Sequence, residues 1–258
     1  MDTRFWGPSA WQFMHLISFS YPHRPDGLDT RRYEQFFNST KLVLPCKYCR
    51  ESTIQFMNEP EYALHPAMKD RYTLARWLWK LHSRVNRKLE EQHKKDPSIL
   101  PPESAPSFDD VRFQYEALLK RGPGIRPPGF DFLMAIAYNY PTKITSDVVQ
   151  VHFDFLMSLY DIYPYPSLRT KLQHYIDHHI VYDALKSRSM LMKWTYGLMK
   201  TLDPEVPTFR SLIHRYAYYK SGCSKKTYRG KTCRRLSGGG RTKDRDHRVT
   251  HRVSHEFL

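Results

Sequence analysis

Residues 72–89 read YTLARWLWKLHSRVNRKL, and their spacing decides the fold class. Leu74, Trp77, Leu78, Leu81, Val85 and Leu89 recur at three- and four-residue steps, the period of one helix face rather than the alternation of a strand. The pattern predicts a long helix from Tyr72 to Leu89. Outward on the N-terminal side, Tyr33 to Leu44 puts Phe36, Phe37, Leu42 and Leu44 on one broad face and ends at Pro45. Pro45 suits the first turn of a new helix from Cys46, where a missing N–H costs nothing. Trp11 to Phe19 is apolar nearly all round and stops at Tyr21-Pro22. On the other side come a polar, proline-rich stretch from Glu90 to Pro106 and a short helix from Phe108 to Leu119. Most of the 18 prolines lie between apolar runs, which marks short helices with firm stops. Strand-like alternation is scarce. The chain reads as all-α.

The run RGPGIRPPG at 121–129 is a break, so residues 1–122 form a first helical domain and 126–220 a second. The last stretch, 221–258, holds 11 Lys and Arg against 3 Asp and Glu, out of 41 against 26 in the whole chain. It has almost no aliphatic residues, too few to offset the entropy of ordering, and reads as a disordered basic tail. Such a tail either tethers the protein to nucleic acid or acidic proteins, or only solubilises it. No basic-then-apolar leader opens the chain, and no window holds the 18 or more apolar residues of a membrane span. A cytoplasmic protein is the expectation.

Four cysteines fall into two pairs, Cys46/Cys49 and Cys223/Cys233, too few for a disulfide scaffold and better suited to redox or metal work. A CxxC at a helix start favours a thiolate through the helix dipole and, here, the flanking Lys47 and Arg50. A thioredoxin-like setting needs a preceding strand, which an all-helical context denies. A structural zinc site needs four ligands, and no second CxxC supplies them; no metal is expected. Trp11 and His15 share one helix face, and His82 and Asn86 repeat that four-residue spacing. An isolated histidine is usually a satisfied core residue. Together these residues make two helix faces that offer an aromatic wall, two imidazoles and an amide to one flat, polar-edged ligand.

In order and spacing these features resemble the Erv/ALR family of FAD-linked sulfhydryl oxidases. The residues that carry the resemblance are Gly7-Pro8-Ser9-Ala10-Trp11 through His15, Tyr21-Pro22, Pro45-Cys46-Lys47-Tyr48-Cys49, and His82-Ser83-Arg84-Val85-Asn86-Arg87-Lys88-Leu89. The Trp6-Gly7-Pro8 opening is similar to versions in large nucleocytoplasmic DNA viruses, which would add the virion to the host cytoplasm as a location. The resemblance implies a helical FAD-binding bundle with Cys46 and Cys49 as the redox pair, Cys49 next to the flavin and Cys46 open to partners. It also implies FAD contacts from Gly7, Pro8, Trp11, His15, Tyr21, His82, Val85, Asn86 and Leu89. Thiol-containing proteins and O2 would be the substrates, and a disulfide and H2O2 the products. Three positions depart from the family pattern. Ser83 replaces an asparagine, Trp79 stands where a structural half-cystine is common, and Phe108 and Tyr115 are the candidates for the missing last-helix contacts. Cys223 and Cys233 are candidate shuttle thiols, a passive loop, or incidental. The rival class is a non-enzymatic basic protein that binds nucleic acid; it lacks an aromatic–basic face in residues 1–120.

Residues 126–220 repeat the order of the first domain. At an offset of 119, Phe130 to Tyr140-Pro141 follows Trp11 to Tyr21-Pro22, Phe155 follows Phe36, Pro164 follows Pro45 and Arg169 follows Arg50. At 117, Arg188, Leu191 and Trp194 follow Arg71, Leu74 and Trp77, and further on, at 101, Tyr216 echoes Tyr115. The chemistry does not repeat: Met134 stands for His15, Tyr165 and Leu168 for the cysteines, and Met199 for His82. Amphipathic helices share spacing by chance, so duplication and coincidence both stay open. Duplication would make the chain an internal pseudodimer; otherwise a homodimer is open.

Overall fold

The computed structural model describes residues 1–221 apart from 2 and 125. Among these the chain is all helix, with no β-strand. The first half runs α1 (Thr3–Ser20), α2 (Gly27–Val43), α3 (Lys47–Met57), α4 (Arg71–Lys95) and α5 (Phe108–Arg121). Two short 3-10 turns, Pro60–Tyr62 and His65–Lys69, join α3 to α4. The second half runs α6 (Phe130–Tyr138), α7 (Ser146–Ile162), α8 (Pro166–His178), α9 (Val181–Ala184), α10 (Arg188–Leu202) and α11 (Phe209–Ser221).

Side chains next to each helix set where it starts. The Asp26 carboxylate accepts the Leu28 and Asp29 amides, and Asp29 reaches back to close a capping box on α2. Ser107 and Asp110 do the same for α5, while Asp70, Thr145 and Ser187 cap α4, α7 and α10. Each cap satisfies an amide that has no intrahelical partner. Gly122 ends α5 at φ +89, a conformation open to glycine without strain. Gly129, at φ +81 before α6, is held by contact as well, because a Cβ there would sit 2.9 Å from the Phe13 ring.

Several boundaries differ from the sequence reading, α2 for one beginning at Gly27 rather than Tyr33. α1 begins at Thr3, with Gly7 and Pro8 inside it, so its apolar residues extend back to Phe5 and Trp6. α4 runs on through Glu90 to Lys95, because a solvated run of Glu, Gln and Lys sustains a helix without an apolar face. Pro45 precedes α3 rather than entering its first turn; Cys46 is the N-cap, in extended backbone.

The two halves share one continuous apolar core. Within each half, the same anchors recur. Arg71 Nε donates to the Tyr21 carbonyl at 2.6 Å, and Arg188 Nε to that of Tyr140. The Tyr21 hydroxyl donates to the Met68 carbonyl at 3.0 Å, and that of Tyr140 to Leu185 at 2.9 Å. Trp77 and Trp194 each donate their indole N–H at 2.9 Å, to the Tyr62 and His179 carbonyls. Arg50 and Arg169 each bond the carbonyl six residues before them. Between the halves, α2 packs on α7 and α1 on α6. Residues 119 apart meet there: Phe36 stacks on Phe155 with centroids 6.0 Å apart, Phe13 lies 6.5 Å from Phe132, and Gln35 Nε2 donates to the Asp154 carbonyl at 3.2 Å.

Candidate redox and ligand site

Cys46 is the N-cap of α3 and Cys49 lies in its first turn, with Arg50 N donating to the Cys46 carbonyl at 3.0 Å. The two side chains are hydrogen-bonded to each other, and this bond is the main influence that holds the Cys49 thiol well above the ordinary range, followed by burial. Cys46 is only 4% exposed, while Cys49 is half-buried. By residue exposure, then, Cys46 is the more covered of the two, although the resemblance implies that it is the one partners reach. Its extended N-cap backbone follows the buried Leu44 and Pro45 into the core, whereas the helix turn carries Cys49 back toward the surface.

The flanking cations do not act as the sequence reading expected. Lys47 is 72% exposed and pairs with Glu51 at 3.7 Å. The Arg50 guanidinium donates to the Leu44 carbonyl. The larger of the favourable charges on Cys49, ahead of the N-terminal amine, comes from α4: Lys88, whose ammonium donates to Ser52 Oγ on α3. No local signal marks Lys88, since pairing it with Ser52 requires knowing how α3 and α4 cross.

Further along α4, His82 stacks on the Trp11 indole, 3.9 Å between centroids and 13° from parallel. His15 lies 5.8 Å from His82 and stacks on Tyr115 of α5 at 4.9 Å. Tyr115 in turn stacks on Phe19 at 5.8 Å. Trp11, His15 and His82 are thus brought together as expected, and Tyr115 joins them. Burial pushes the His15 pKa down to about 3, with the neighbouring His82 adding to the effect, and pushes His82 down to about 4. Both imidazoles are therefore neutral at pH 7. Val85, Asn86 and Leu89 continue the α4 surface, each half-buried. Gly7 has open space beside it and Pro8 is exposed. Tyr21 is elsewhere: it is fully buried at the far end of α1, its hydroxyl engaged with Met68 and Thr30. Phe108 also serves packing, under Arg76 and edge-on to Trp79 at 6.0 Å. Trp79 donates its indole N–H to the Pro106 carbonyl at 3.0 Å, so it fastens the start of α5. Cys223 and Cys233 lie outside the described residues.

The cluster suits a flat aromatic group with polar edges. His15 Nδ1 is buried with no hydrogen-bond partner, an arrangement that costs free energy unless a ligand supplies the bond. Neutral imidazoles and aromatic faces offer stacking surface and single hydrogen bonds without adding charge. In the second half, the positions 119 after His15 and 117 after His82 are Met134 and Met199, both buried and neither able to offer an imidazole.

Residues 8–103 match the family model described as "Erv1 / Alr family". The chain is 36% identical over 87 residues to a probable FAD-linked sulfhydryl oxidase, R368, of Acanthamoeba polyphaga mimivirus, covering 33% of this chain and 59% of that protein. It is 29% identical over 90 residues to the mitochondrial FAD-linked sulfhydryl oxidase ERV1 of Saccharomyces cerevisiae, covering 35% and 46%. It is 30% identical over 57 residues to the putative FAD-linked sulfhydryl oxidase 347L of Invertebrate iridescent virus 6, covering 22% and 51%. The chain spans about half the length of the curated relatives it matches.

Proposed function

We propose that this chain is an FAD-dependent thiol oxidase that makes disulfides in protein substrates, a reading that starts from the match of residues 8–103 to the Erv1 / Alr family model. The observation that carries the reading is one of position. A single helix, α4, holds His82 against Trp11 and His15 and, two turns on, Lys88 against the helix of Cys46 and Cys49.

Trp11, His15, His82 and Asn86 would hold the flavin by stacking and by hydrogen bonds from neutral groups, with Gly7, Pro8, Val85 and Leu89 at its margins. The chemistry FAD supplies when bound is acceptance of two electrons from the dithiol and their delivery to O2, with H2O2 as product. The chain's own part is thiol–disulfide exchange. A substrate thiolate attacks the Cys46 sulfur of the oxidised pair, an S–S bond to Cys46 forms, and the Cys46–Cys49 bond breaks with Cys49 leaving as a thiolate. A second substrate thiolate then displaces Cys46, releasing the substrate disulfide and leaving the pair reduced. Cys46 is covered, so attack on it requires the chain around Pro45 to yield.

The second half is read as a degenerate copy, an internal partner for the first. Its support is the meeting of residues 119 apart, since self-equivalent contacts are the mark of a two-fold interface. The basic tail and Cys223/Cys233 are assigned, from sequence alone, to recruitment of acidic substrates and to relay of oxidation to Cys46. No described helix is long and apolar enough to cross a membrane, and host cytoplasm is the proposed location. The test is an absorbance spectrum of the purified protein with oxygen uptake on dithiothreitol. A flavin spectrum with uptake supports the oxidase; a colourless protein without uptake overturns it and leaves the nucleic-acid-binding reading.

A further inference from the structure

Thiolate chemistry at a buried pair needs a counter-cation, and neither basic residue beside the cysteines provides it. Lys47 is turned to Glu51 in solvent, and Arg50 is bonded to a backbone carbonyl. Ser52 lies three residues after Cys49 and so on the same face of α3. The Lys88 ammonium is bonded to that hydroxyl, which holds a positive charge one turn from the Cys49 sulfur. We propose that Lys88 is the counter-cation of the Cys46–Cys49 pair, a positioning residue that eases the departure of Cys49 as a thiolate.

The charged and titratable groups around it are few. Cys49, Cys46 and Glu51 of α3 favour the Lys88 ammonium, Arg84 of its own helix opposes it, and burial opposes it most. On Cys49 the favourable charges are Lys88 and the N-terminal amine, against the hydrogen bond from Cys46, burial and the Cys46 charge. Two of those three opposing influences belong to Cys46. When the Cys46 sulfur is bonded to a substrate sulfur it holds neither proton nor charge, so both disappear and Lys88 remains. The thiolate is thus favoured at the step that releases it, and a leaving thiol of lower pKa leaves faster.

The use made of this cation rests on the oxidase reading; its test does not. In the full-length protein carrying Cys46→Ser, the rate of Cys49 alkylation by iodoacetamide is followed by peptide mass spectrometry from about pH 6 to about pH 10, because the thiolate is the reacting species. With Lys88→Met added, the rate at neutral pH should fall by roughly threefold or more and the midpoint should rise, given the usual effect of an opposite charge at close range. Lys88→Arg should restore most of the rate, and Ser52→Ala, which frees the ammonium, should fall between. Identical midpoints for Lys, Arg and Met, or equal shifts for Arg and Met, would overturn the proposal, the second by showing that only side-chain shape matters. If Lys88→Met fails to fold by circular dichroism, Lys88→Gln and Ser52→Ala carry the same comparison. Alkylation needs neither flavin nor oxygen. A wild-type chain that takes up no oxygen would sink the oxidase reading alone and leave the charge effect standing.

Discussion

His15 and His82 show how far the fold changes what a residue does. In an unfolded chain each imidazole takes a proton near pH 6.5, whereas in the folded chain they resist until about pH 3 and about pH 4. The unfolded state therefore binds more protons between those values. Stability is full above about pH 6.5 and is lost as pH falls toward 4. For His82 alone the loss is at most roughly 3 kcal/mol, at about 1.4 kcal/mol per pH unit. The melting temperature should fall between pH 7 and pH 4.5, and His82→Gln should flatten the slope without removing it, because His15 and His152 are buried in the same way. Equal slopes would show that His82 is not held neutral. At the cysteines, Cys46→Ser and Cys49→Ser should each abolish oxygen uptake on dithiothreitol while flavin absorbance persists, since the helical cluster rather than the thiols provides the ligand contacts. The sequence names these residues readily, because CxxC and the four-residue spacings are local. It does not show that Cys46 is the more covered residue of the pair, which follows from packing around Leu44 and Pro45.

Among the elements, α5 is the one whose placement matters most to the site, since it brings Tyr115 onto His15. Trp79 fastens its start, in the position where a half-cystine was the family expectation. The second half fastens its end: the Tyr165 hydroxyl donates to the Leu118 carbonyl at 3.1 Å. Tyr165 reaches it from a backbone at φ +66, the one non-glycine residue with positive φ among those described, and such strain persists only where surrounding contacts impose it. Tyr165→Phe keeps the ring and removes the bond. It should cost about 1 kcal/mol and speed hydrogen exchange in the last turn of α5 more than in α1. Uniform exchange in both helices would show that the hydroxyl does not tie α5 down. Helix existence was legible throughout, from the periodicity in 72–89 above all, whereas helix ends were not. α4 outruns its apolar face by six residues, because helix propensity alone carries Glu90 to Lys95.

For the molecule as a whole, the α2–α7 contact closes the two halves on each other. Phe36 and Phe155 are both fully buried there, so Phe36→Ala should cost about 3–5 kcal/mol. The pair should be non-additive, with Phe36→Ala/Phe155→Ala losing less than the sum of the single changes by roughly 0.5 kcal/mol or more. Denaturant unfolding of the four proteins checks this, and strict additivity would mean the rings do not share a contact. An offset of 119 was legible as numbering, yet periodicity could not separate a repeat from coincidence; the paired anchors on Arg71 and Arg188 are what support the proposed repeat. One ion pair at this contact has no image. Arg32 bonds Asp161 at 2.9 Å, while the positions 119 away from each are Val151 and Leu42. Where two identical chains meet across an axis, every substitution is made twice and an attractive charge must find its opposite in the same copy. Here each side of the seam is written separately, so one half is free to turn basic and the other acidic at a single point.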